Sequence, residues 1–202
     1  MFEKYRLSRR RLDRYDLEQS IKSAERDRRS SSCSSFKVFQ VIDGRQIPDW
    51  KKFLGVGENK QALIRFLGES IVQHHDRPTV SMTHGEVIFL AGTSTDPISV
   101  TKICSEGVFR FDELFCTHEE ADTRMILHAI HADKVFGVKG IKGRIIMKSP
   151  DTDVLIVCVH YFPSMQHTHE LWFQTGTITC TQDVRLFIPV HKLCIKSRVC
   201  HL

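Results

Sequence analysis

No apolar run in the sequence approaches the ~20 residues that a bilayer-spanning helix needs, so neither a transmembrane segment nor a membrane partner is expected. No CxxC pair occurs among the seven cysteines, Cys33, Cys104, Cys116, Cys158, Cys180, Cys194 and Cys200. Scattered, odd-numbered cysteines suit reduced thiols in an intracellular protein, nuclear or cytoplasmic. The opening residues, Met1-Phe2-Glu3-Lys4-Tyr5, lack the apolar core of a secretory signal. No internal repeat is present, which removes solenoid and propeller architectures.

What is there fits one domain of ordinary size. A chain of 202 residues can bury roughly 70% of its unfolded surface. Hydrophobic residues make up 41% and charged residues 26%, close to globular averages. The net charge is +5, unevenly spread. Between Lys4 and Arg29 there are ten Lys or Arg against five acids. Such a segment suits a polyanion, DNA or RNA. It equally suits a solvated basic helix face or a targeting signal in Arg9-Arg10-Arg11.

Along the chain, residues 1–29 form a basic segment in which Leu17 to Arg29 is compatible with a helix. Lys22, Arg26 and Arg29 then share one face. Residues 30–35, Ser30-Ser31-Ser32-Cys33-Ser34-Ser35, are a low-complexity loop. Residues 36–202 are expected to form one α/β core. Phe36 to Ile42 alternates like a strand before the Asp43-Gly44 turn. Asn59 to His74 has the helical period in Ala62, Leu63, Phe66, Leu67 and Ile71. Short strands are expected at Val87–Ala91, Ile98–Cys104, Gly143–Ser149, Leu171–Thr175 and Arg185–Ile188, with Pro189 ending the last. A helix over Thr117–Ala132 would be capped by Thr117, with Glu120 three residues on as in a capping box. Ser149-Pro150 reads as an N-cap with proline at the first helical position. Val154–Tyr161 is compatible with helix or strand. Strands alternating with helices predict a largely parallel sheet. Trp50 and Trp172 are expected in the core or half buried.

Two acidic motifs carry the candidate chemistry. Glu119-Glu120-Ala121-Asp122 opens the long helix, and Asp151-Thr152-Asp153 follows a strand. Sites in open α/β sheets form beyond the carboxyl ends of strands, where Asp151 and Asp153 fall. Asp122 shares the apolar face of Met125 and Ile126, and a carboxylate there needs a partner. Carboxylate oxygens are hard ligands suited to Mg²⁺ or Mn²⁺, and four of them in one cleft repel each other without a cation. Each acid also has a plain structural use: Glu120 in a capping box, Asp122 at a positive helix end, Asp151 as a cap. Cys116 with His118, and Cys194 with Cys200 and His201, are spaced too loosely for structural zinc.

The pair of motifs resembles the flap-endonuclease/XPG branch of the PIN-like nuclease superfamily. That branch has a Glu-x-Glu helix start and a strand leading to Asp-x-Asp. Glu120-Ala121-Asp122 is similar to the first, with Asp for Glu, and Asp151-Thr152-Asp153 to the second. Leu12-Asp13-Arg14-Tyr15, with Ser20-Ile21-Lys22 and Arg26-Asp27-Arg28-Arg29, is similar to the branch's strand-end Asp and basic helix. The same motifs resemble a group of animal proteins that recur in genomes like mobile-element genes. The resemblance implies a three-layer PIN-like fold and metal-dependent hydrolysis of phosphodiesters in DNA or RNA. It implies Asp13, Glu120, Asp122, Asp151 and Asp153 as catalytic acids, the last four as ligands of Mg²⁺ or Mn²⁺. It also implies Lys22, Arg26 and Arg29 as phosphate contacts. The branch begins with a strand ending in a first catalytic Asp, which would precede residue 1, and its duplex-gripping helix-turn-helix region is not recognisable. The chain therefore reads as N-terminally truncated. An inactive copy, or a non-catalytic module binding nucleic acid or a partner, is the alternative.

Overall fold

A computed structural model describes residues 37–47, 49–74, 85–93, 96, 98–117, 121–179 and 182–199. The expected helix over Leu17–Arg29, the serine loop and the capping residue Glu120 lie outside the described residues. The fold is mixed α/β, and the described residues form five helices and two three-stranded sheets. The described residues gather into two compact units, one of 37–74 and 90–117, the other of 85–89 and 121–199.

In the first unit, helix α1 (Trp50–Gly55) is opened by Asp49, whose side chain accepts from the Lys52 amide at 3.0 Å. That bond draws the Asp49 carboxyl below its ordinary range. Helix α2 (Gly57–Gln73) starts two residues before the periodicity indicated. Its Asn59 is fully buried and bonds three ways. It accepts the Phe39 amide at 2.8 Å and donates to the carbonyls of Lys37 at 3.1 Å and Phe53 at 3.2 Å. This corrects the strand expected before the Asp43-Gly44 turn: residues 37–42 are irregular, because a side-chain amide, not a neighbouring strand, satisfies this backbone. Trp50 is outside the core, 54% exposed and edge-on to the Phe53 ring, and Phe53 alone of the α1 residues is buried.

Strands β1 (Val87–Ala91), β2 (Val100–Cys104) and β3 (Gly107–Arg110) form one sheet in that order, with β2 and β3 an antiparallel hairpin. Helix α3 runs over Ala121–Val138, six residues past the expected end. Its stop is a left-handed cap. Gly140 has φ +63°, its amide bonds the Gly137 carbonyl at 3.0 Å, and the Ile141 amide bonds the Phe136 carbonyl at 3.0 Å. These two bonds are the Schellman pattern, which satisfies the last carbonyls of the helix and turns the chain toward the next strand.

That strand, β4 (Gly143–Lys148), alternates strictly between buried and exposed residues. It leads into helix α4 (Thr152–Tyr161), then β5 (Thr168–Thr175), β6 (Leu186–Pro189) and helix α5 (Val190–Val199). The sheet order is β4-β5-β6. The β4/β5 pair is parallel, as a β-α-β crossover makes it, and β5/β6 is antiparallel. Met125, Ile126, Ala129, Ala132 and Phe136 of α3 share one core with Ile145, Met147, Val154, Cys158, Leu171, Phe173, Val190 and Cys194. Gly143 is buried within it, and any Cβ there would run into the Phe136 ring. Val154 and Cys158, at i and i+4, face the core. This explains why a β-branched run folds as helix.

Candidate functional site

The acidic end of β4 is built by a chain of local bonds. The Ser149 hydroxyl accepts the Asp151 amide at 3.1 Å, and the Asp151 carboxylate accepts the Asp153 amide at 3.0 Å. The N-cap of α4 is therefore Asp151, not Ser149 as expected. Pro150 stands just outside the helix, where its missing N–H removes no helical bond. Asp151 is partly buried, and Asp153, in the first turn, is exposed. Helix α3 packs on both α4 and β4. Its first turn carries Asp122, partly buried and followed by the buried Arg124, Met125 and Ile126.

Asp122, Asp151 and Asp153 thus belong to one compact unit, on elements in mutual contact. Among the described residues, no group of three or more His, Cys, Asp or Glu side chains is placed to hold a metal ion. Glu120 and Asp13 of the expected acidic set, and the phosphate contacts Lys22, Arg26 and Arg29, lie outside the described residues. The three described carboxylates are oxygen donors of the kind Mg²⁺ or Mn²⁺ takes, yet by themselves they do not complete a metal site.

One carboxylate that sequence reasoning missed is Asp133. It is 8% exposed, and one oxygen accepts both the His167 amide at 2.8 Å and the Thr168 hydroxyl at 2.7 Å. Its role is to pin α3 to the start of β5. No local signal marks it, since its partners stand 34 and 35 residues away. His128 and Arg124 are also buried polar groups of α3, and Phe89 stands edge-on to His128 and to His131.

The described cysteines, Cys104, Cys116, Cys158 and Cys194, are all buried. Burial pushes the Cys158 thiol up to about 12, which keeps it protonated and unreactive. Cys194 points its thiol at the Val159 carbonyl, 3.4 Å away. These surroundings are those of core side chains. Among the described residues no helix is long and apolar enough to cross a membrane. In comparison with known proteins, no family model matches the chain, and neither a curated protein nor a solved structure matches it.

Proposed function

We propose that the chain is a metal-dependent nuclease-like protein of PIN-like type, acting on phosphodiesters of DNA or RNA. The observation that carries this reading is the position of Asp151 and Asp153 just past the carboxyl end of β4, in a β-α-β crossover against which α3 packs with Asp122 in its first turn. In this reading Glu120, Asp122, Asp151 and Asp153 hold Mg²⁺ or Mn²⁺, and Asp13 supports them. A bound ion of this kind supplies an activated water and stabilises the leaving oxygen. The protein's own residues contribute carboxylates at the starts of α3 and α4, and Lys22, Arg26 and Arg29 neutralise phosphates.

A second reading is a non-catalytic module that binds nucleic acid or a partner. Incubating the chain with labelled single-stranded and duplex DNA and RNA separates the two. Cleavage is expected to be weak and to appear with Mn²⁺ before Mg²⁺. Asp153→Asn is expected to abolish it, and Lys22, Arg26 and Arg29 changed together to Ala to weaken binding. Binding with no cleavage under either metal supports the module instead.

A further inference from the structure

One face of the β4-β5-β6 sheet is packed into the core, and the other is left partly open. Ile146 is 45% exposed and Phe187 42% exposed. The register sets Ile146, Trp172 and Pro189 in one row across the strands, Arg144 beside Glu170 in a second, and Lys148, Gln174 and Phe187 in a third. Trp172 is held in place from two sides. Its Nε1–H donates to Glu170 at 2.8 Å, and the His191 ring meets it edge-on at 5.2 Å, itself anchored by an Nδ1 contact to the Leu171 carbonyl at 3.0 Å. Glu170 is the sole acid in the three strands, against Arg144 and Lys148, and it already pairs with Arg144 at 2.6 Å. Lys148 is therefore the surplus charge of this face. It stands at the end of β4 that leads to Asp151.

We infer that this sheet face is a platform for single-stranded nucleic acid, with bases stacked on Trp172 and Phe187 and phosphates met by Lys148. A flat ring fixed by a hydrogen bond and an edge contact presents a ready stacking surface, and stacking tolerates any base but requires it unpaired. The cationic surplus fits a polyanion, and a second copy of the same face gains nothing from it. The placement rests on the nucleic-acid reading above and adds a route: a strand lying along β4 is led past Lys148 toward the acidic end of α4.

The test uses the full chain in EDTA, so that cleavage plays no part. Trp50→Phe leaves Trp172 as the sole tryptophan. Titration with an oligodeoxyadenylate of about 12 nucleotides, within the usual site size, is expected to quench Trp172 fluorescence to saturation. Phe187→Ala is expected to weaken binding by about 5- to 100-fold, the range for one lost base stack. Lys148→Ala is expected to lower the slope of log affinity against log salt by about 0.7. Trp172→Phe keeps a stackable ring and is expected to bind, whereas Trp172→Leu is not, with both unfolding as wild type does. Binding that leaves Trp172 unquenched and Phe187→Ala unaffected overturns the platform and leaves the nucleic-acid reading standing on residues 1–29. Failure to bind at low salt also overturns it, while the Mn²⁺ cleavage assay still judges the nuclease reading separately. A dimer that Phe187→Ala dissolves and the oligonucleotide does not compete with assigns the face to self-association and overturns the proposal.

Discussion

The Asp133 carboxylate accepts a hydrogen bond from the Thr168 hydroxyl at 2.7 Å, across 35 residues of sequence and inside the protein. The same oxygen holds the His167 amide, so a single side chain fixes where β5 begins relative to α3. Asp133→Ala leaves two donors without an acceptor, each costing about 1–3 kcal/mol when buried. The expected loss is about 2–4 kcal/mol in urea unfolding. Asp133→Asn retains a carbonyl oxygen and is expected to lose less than half of that. Equal losses in the two variants would mean that the charge itself, and not the pair of accepted bonds, is what the fold requires.

Close approach of backbone and ring sets a second prediction. Gly143→Ala drives a methyl into Phe136. Overpacking of this kind costs about 1–3 kcal/mol. Phe136→Leu in the Gly143→Ala background is expected to recover part of that loss, although Phe136→Leu alone destabilises. Strict additivity of the two changes in a denaturation cycle would show that the glycine is needed for some other reason.

The pH dependence follows from Glu170. Hydrogen bonds from Arg144 and then Trp172 bring its carboxyl from an ordinary 4.5 down to about 2. A depressed carboxyl pKa means that folding favours the ionised form. The stabilisation is complete above about pH 4.5 and fades as the pH falls toward 2. Solvent around the half-exposed Arg144 keeps the effect small. Wild type is expected to be more stable than Glu170→Gln at neutral pH, with the gap closing across that window in acid melts. Asp183, held down to about 2 by Arg185, titrates in the same range and is present in both proteins, so it cancels in the comparison.

Asp151 allows cap and charge to be separated. Asn caps a helix as well as Asp does, so Asp151→Asn is expected to stay within about 0.5 kcal/mol of wild type, while Asp151→Ala loses about 1 kcal/mol. Metal-dependent cleavage is expected to vanish in both. Cleavage surviving in Asp151→Asn would reduce Asp151 to a helix cap.

Much of the α/β order was legible because periodicity is a local signal. The strands at β1, β4 and β5 and the helices α2 and α3 announce themselves through apolar spacing. The terminus of α3 has a local signal too: Gly140 is a ready cap, and Phe136 continues the apolar stripe past the charged pair Asp133-Lys134. Short helices were not legible. Helix α1 buries only Phe53, and six residues hold too little pattern to stand out from a loop. The false strand at 37–42 fails for a reason no window contains: its hydrogen bonds go to Asn59, some 20 residues on. The acids at the end of β4 were visible as a motif, but their local bonding, Ser149 to Asp151 to Asp153, depends on how the backbone leaves the strand.

Strand β6 has only four residues, ends in Pro189 and passes straight into α5. As the outer strand of its sheet it carries exposed Leu186 and Phe187, the composition that invites edge-to-edge growth into fibrils. A proline interrupts the ladder of amide donors, and a strand this short offers little template to a neighbouring chain. The same four residues that close the sheet therefore act as its guard against aggregation.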